Sequence, residues 1–144
     1  LSGPGDAERM LATASDRVRG RVEVLGLGEA DRQHERYGTA WVTTLPSTHD
    51  SFGMALVESL ACGTPLVVST HGAPKELVEP GTTGELCEPG DADGLAAALL
   101  RGFELSRKPG TVDACRARAG DFDWRASLAP RLEAVYRGEP DPGS

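Results

Sequence analysis

The spacing of hydrophobic positions changes character repeatedly along the 144 residues. Met10, Leu11 and Ala14 recur at helical intervals, which predicts a helix over residues 7–18. RVEVLG (21–26) alternates apolar and polar at period two with β-branched residues, which predicts a strand. Residues 29–39 are short, charged and helical in pattern. AWVTTLP (40–46) is an apolar run stopped by Pro46, so a more buried strand is expected there. Residues 53–62 predict a helix entered through Ser51, Phe52 and Gly53, with Gly63 as its stop and Pro65 opening the next element. PLVVST (65–70) reads as a buried strand, APKELVE (73–79) as a short helix, and GELCEPG (84–90) as a short strand leaving into a turn. Asp91 caps a predicted helix through DGLAAALLRGFEL, and helical stretches follow near 110–120 and 124–136. Strands alternating with helices predict an α/β fold with a Rossmann-like, doubly wound parallel sheet. One domain over residues 1–137 is expected, with the Pro- and Gly-containing 138–144 as a disordered tail.

Sheets of this kind bind ligands at the carboxyl ends of their strands. The loops placed there are 26–31, 46–53, 69–76 and 88–91, all rich in Gly, Ser, Thr or Asp. Within DSFGMALVESLACGTP (50–65), Asp50 and Glu58 sit at either end of a nearly apolar run. Free backbone N–H groups at the start of the following helix favour an anion, and Gly53 lets a ligand approach the backbone closely. A carboxylate at Glu58 accepts hydrogen bonds only, which suits the vicinal hydroxyls of a ribose. Asp50 suits hydroxyls elsewhere on such a ligand. The bland alternative stays open: Asp50 caps the helix and Glu58 is simply exposed.

Composition narrows the function classes. Hydrophobic content of 39% and charged content of 26% read as a soluble globular protein, and a formal net charge of -7 argues against nucleic acid. No apolar run is long enough to span a bilayer and no secretory signal is visible. Cys62, Cys87 and Cys115 are odd in number and widely spaced, so reduced thiols in a cytoplasmic protein are expected, with neither a disulfide framework nor a metal site. The start at Leu1 reads as a fragment or a processed chain. His34 is expected on a solvated face, with Arg17, Arg19 and Arg21. His49 and His71 fall in the presumed mouth by position. Trp41 and Trp124 are expected to pack.

The ordered series PSTHDSFGMALVESLACGTPLVVSTHGAPKELVEPGTTGELCEPGD resembles the family 4 retaining glycosyltransferases of the GT-B fold. VEVLGLGEADRQHERYGTAWVTTLPS upstream and FDWRASLAPRLEAVY downstream extend the resemblance over nearly the whole chain. It implies the C-terminal, donor-binding half of a GT-B enzyme, in which the acid pair forms an E-x7-E motif. By that resemblance Asp50 and Glu58 carry the catalytic motif. Asp50 faces the donor sugar, Ser51, Phe52, Gly53 and Met54 line the approach of the diphosphate, and Glu58 holds the ribose. The loop at Leu27 and Gly28 lies against the base.

A nucleoside diphosphate sugar is the implied ligand, a UDP-sugar before others, with no metal and no cofactor. The implied partner is an N-terminal acceptor domain outside this chain, without which the fragment is expected to be inactive. Three departures stand out, and the largest is that the basic residues which the resemblance implies for the diphosphate are expected upstream of Leu1. Asp50 replaces a Glu, which sets the carboxylate one methylene, about 1.5 Å, further back, and Ala73 replaces one glycine of a Gly-Gly-Pro-x-Glu loop. Alternative functions are a sugar-nucleotide epimerase of the same architecture, or a non-catalytic nucleotide-binding module.

Overall fold

The structure, a computed structural model, describes residues 4–25 and 32–140. The chain divides into two compact units, Leu1–Gln33 and His34–Ser144. In the first, α1 covers Pro4–Ala12 and α2 covers Asp16–Arg19. The helix expected over 7–18 is therefore broken. The Thr13 hydroxyl donates to the Met10 carbonyl at 2.7 Å, a local bond that competes with helix continuation. Ser15 is extended, at φ -62° and ψ 154°. The strand expected over 21–26 does not form: residues 22–25 carry no strand, and residue 26 lies outside the described residues. Alternation supplies a strand's face but not its ladder partner, and the ladder is what makes a strand.

In the second unit the alternation of strands and helices holds. α3 spans Gln33–Thr39, starting at the division between the units, and buries Tyr37. Three strands follow, β1 (Thr43–Leu45), β2 (Leu66–Ser69) and β3 (Gly84–Cys87). They form a parallel sheet in the order β1-β2-β3, with Leu45 opposite Val68 and Leu66 opposite Gly84. α4 (Met54–Ala61) joins β1 to β2, and a 3-10 turn, Ala73–Leu77, lies between β2 and β3. α5 (Ala92–Ser106) and α6 (Thr111–Gly120) come after β3. A π turn, Trp124–Leu128, then leads into α7 (Ala129–Arg137).

Every residue of β2 is buried, and its side chains alternate between two layers. Leu66 and Val68 join Leu56 and Leu60 of α4, Leu77, and Cys115 and Ala119 of α6 on one face. Val67 meets Ala98 of α5 and Cys87 on the other. Helices on both faces make the sheet doubly wound, as its continuous apolar strand implies. Full burial of each of these leucines contributes about 1.5–3 kcal/mol.

The expected cap of α5 is present, since the Asp91 carboxylate accepts from the Gly94 N–H at 2.8 Å. The stretch after residue 124 starts as a π turn, in which the Asp123 carbonyl accepts from both Ser127 and Leu128. Trp41 and Trp124 are mostly exposed, contrary to the packing role expected for them, although Trp41 keeps one ring contact with Phe103 at 4.5 Å. His34 and Arg17, Arg19 and Arg21 are exposed, as expected. No described helix is long and apolar enough to cross a membrane.

Candidate functional site

The carboxyl ends of β1 and β2 open into the loops 46–53 and 70–77. The same tripeptide, Ser-Thr-His, stands at the exit of each strand, at 47–49 and at 69–71, and folds the same way in both. The Ser47 hydroxyl accepts from the His49 N–H at 3.3 Å, and the Ser69 hydroxyl accepts from the His71 N–H at 3.0 Å. Each threonine hydroxyl pairs with its histidine's Nδ1, at 2.6 Å for Thr48 and His49 and 3.2 Å for Thr70 and His71. Both imidazoles are exposed. The repeat is legible in the sequence, directly after the strand expected at 40–46 and across the end of the one expected at 65–70.

After His49 the chain turns through Asp50, whose carboxylate accepts from the Phe52 N–H at 3.1 Å. That bond corrects the helix-cap alternative. The residue at the N-cap of α4 is Gly53, in the left-handed region at φ 83° and ψ 55°, and no side chain caps the helix. The first-turn N–H groups at Met54 and Ala55 are therefore left to solvent or a ligand. Ser51, Phe52 and Met54 are exposed and Gly53 is half-buried. Glu58, one and a half turns on, is exposed on α4. Gly28 and its loop lie outside the described residues.

The second loop leans on the first. Gly72 sits at φ 80° and ψ -179°, and a Cβ there would lie 3.4 Å from the Asp50 carbonyl oxygen and 3.9 Å from that of Thr48. A Cβ on Gly53 would meet Leu56 at 2.9 Å and Pro74 at 3.7 Å. Two of the four loops expected at the mouth are thus in contact. A third, 88–91, shares a cavity of about 270 Å³ with Pro46, lined also by Cys87 and Leu95. A larger hollow of about 580 Å³ lies where the second loop ends, among Glu76, Arg118, Phe122 and Arg131.

Electrostatic perturbation falls on the thiols. Burial pushes the Cys115 thiol up to about 11. Burial also raises Cys87, with smaller contributions from Asp91 and Glu88. Both groups are kept as neutral thiols, unsuited to nucleophilic work. Among the described residues no cluster of three or more His, Cys, Asp or Glu is arranged to hold a metal.

A model of the family described as glycosyl transferases group 1 matches residues 2–112. The chain belongs to that family. A similar relative is the D-inositol 3-phosphate glycosyltransferase of Streptosporangium roseum, 35% identical over 144 residues, covering 95% of this chain and 32% of that protein. Among solved structures, sucrose-phosphate synthase from Thermosynechococcus elongatus superposes with a TM-score of 0.77 at 29% identity, covering 93% of this chain and 34% of that one. The Anabaena protein HepE in complex with UDP-glucose superposes with a TM-score of 0.73 at 27% identity, covering 96% of this chain and 38% of its own. The resemblance to GT-B glycosyltransferases read from the motif series therefore holds. The chain spans about a third of the length of these proteins.

Proposed function

We propose that this chain forms the donor-binding domain, over residues 1–137, of a retaining glycosyltransferase that uses a nucleoside diphosphate sugar. The observation that carries this reading is the uncapped first turn of α4 between two carboxylates, Asp50 before it and Glu58 on it. In this reading the backbone N–H groups around Gly53 and Met54 receive the diphosphate, helped by the positive end of the helix. Glu58 accepts from the ribose hydroxyls. Asp50 accepts from a hydroxyl of the sugar, with its second oxygen free while the first holds the Phe52 N–H. Transfer follows from donor positioning and stabilisation of the departing diphosphate, across a cleft shared with an acceptor domain outside this chain. UDP is the favoured nucleotide, supported by the complexes of HepE with UDP and UDP-glucose. The free thiols of Cys62, Cys87 and Cys115 fit a reducing compartment such as the cytoplasm.

A second reading has one observation behind it. The Asp50 carboxylate is already engaged by its own backbone, which suits a module that binds nucleotide without transferring sugar. Titration of the full-length parent protein with UDP and UDP-glucose, followed by product analysis with candidate acceptors, separates these readings. Saturable binding with amide shifts at residues 50–58 and 70–76, and a glycosylated product, are expected. Binding without product favours the module, and an epimerised nucleotide sugar as product points to an epimerase. Shifts confined to the helices after Asp91 overturn the placement of the site.

A further inference from the structure

Arg118 stands outside the motif series, on α6, 42 residues along the chain from Glu76. Its side chain is only 23% exposed, and its guanidinium reaches in three directions. Nη2 donates to the Glu76 carbonyl and Nε to the Leu77 carbonyl at 3.4 Å. These are the last carbonyls of the 3-10 turn, which have no partner within it. Nη1 donates to the Asp121 carboxylate at 2.7 Å. The guanidinium also lies over the Phe122 ring, 5.1 Å from its centroid. Phe122 in turn meets the Phe52 ring edge-on at 5.6 Å.

Phe52 belongs to the loop after β1, whereas Glu76 and Leu77 end the loop after β2. One side chain therefore grips the second loop directly and the first through an aromatic relay.

We propose that Arg118 is a positioning residue for the candidate donor site, setting the spacing between the Asp50–Gly53 turn and the Gly72–Leu77 loop. The inference deepens the donor-binding reading and rests on it for its consequence in affinity. A planar guanidinium suits the task because its donors are fixed in a fork and its face stacks on an aromatic ring. A lysine ammonium reaches one carbonyl, or the Asp121 carboxylate, but not all of them together. Arg118 touches no part of the proposed ligand path, so its effect passes through Phe122 and the carbonyls of the second loop.

The test compares Arg118→Met, Arg118→Lys and Phe122→Leu in the full-length protein. Two readouts are taken well below the melting temperature: amide hydrogen exchange and UDP-glucose affinity by calorimetry. Local opening governs exchange in loops, whereas global opening governs the core strands. Arg118→Met is expected to speed exchange in both 50–53 and 70–77, leaving Leu66–Ser69 as protected as in the parent. UDP-glucose affinity in Arg118→Met is expected to fall by up to about tenfold, the limit reached if binding must restore the order that one charge-assisted hydrogen bond maintained. Phe122→Leu is expected to loosen 50–53 alone, because the carbonyl grip survives it.

Arg118→Lys keeps the charge and guards against a misfolded methionine variant. It is expected to loosen both loops to a lesser degree. Exchange raised in proportion throughout the molecule, with affinity unchanged in the folded protein, overturns the proposal in favour of plain stabilisation. So does parental exchange at both loops in either Arg118 variant. If the parent binds neither UDP nor UDP-glucose, the donor-binding reading fails, while the exchange pattern still decides whether Arg118 couples the loops.

Discussion

Two Ser-Thr-His turns leave neighbouring parallel strands with matching hydrogen bonds, and then diverge at the next residue. After His49 comes Asp50, which binds its own backbone at Phe52 and delivers the chain into an eight-residue helix. After His71 comes Gly72, which allows a conformation nearly restricted to glycine and delivers the chain into a five-residue 3-10 turn. The shared tripeptide sets only how the chain leaves the sheet. The following residue sets what the loop does: the first keeps its helix start uncapped beside a carboxylate, and the second folds against the first as a support. Ser69 is fully buried whereas Ser47 is half-buried, consistent with a second loop rooted more deeply in the core.

The division of labour is broken most forcefully at Glu58. Glu58→Gln in the full-length protein removes a charged acceptor, a loss of about 1.5–3 kcal/mol. Nucleotide binding is expected to weaken about ten- to a hundredfold, with a 2′,3′-dideoxy nucleotide losing little. The same ribose preference in mutant and parent, measured by calorimetry, would remove Glu58 from the site and leave the first loop without half its chemistry.

The glycines sharpen the contrast at a smaller scale. Gly72→Ala forces a residue with a Cβ into φ 80°, ψ -179°, at a cost of about 1–3 kcal/mol. Gly53→Ala enters the left-handed helical region at about 1–2 kcal/mol and pushes on Leu56. Asparagine visits that left-handed region readily but not the one Gly72 occupies. Gly53→Asn should therefore recover part of the loss in urea unfolding, and Gly72→Asn should recover none. Equal behaviour of the two asparagine variants would mean that the loops are held alike.

Asp50 gives the smallest change in stability. Asp50→Asn keeps an oxygen for the Phe52 N–H and should stay within about 0.5 kcal/mol of the parent, while Asp50→Ala loses about 0.5–1.5 kcal/mol. Transfer rate is expected to fall in both, with binding of free UDP nearly unchanged. Full transfer activity in Asp50→Asn would reduce Asp50 to a turn former and make the first loop as purely structural as the second.

Much of this arrangement was legible from spacing. The strands at 43–45, 66–69 and 84–87, the cap at Asp91 and the stop at Gly63 all follow from local patterns, because turn chemistry and apolar runs are local properties. Residues 22–25 show where that legibility ends, since their alternation carries no information about a ladder partner. Whether Asp50 caps α4 stayed open for a related reason: an Asp before a helix signals capping, but the left-handed turn at Gly53 moves the cap three residues on. Arg118 gave no signal at all, and Phe122 entered only as the first residue of FDWRASLAPRLEAVY, with nothing to show what it packs against. Their importance comes from approaches between segments about forty or more residues apart, which neither periodicity nor motif spacing encodes.

The burial of two of the three thiols has a practical side. Cys87 and Cys115 are enclosed and held in the unreactive protonated form, whereas Cys62 is half-exposed just past the end of α4. Alkylating reagents attack the thiolate and need access to it, so within this chain a fluorophore or spin label is directed to Cys62 without removing any other cysteine. The dye would then sit at the far end of the helix capped by Gly53, about 13.5 Å from it along the axis at 1.5 Å per residue. The native sequence thus carries its own attachment point for an optical reporter of what happens at the mouth.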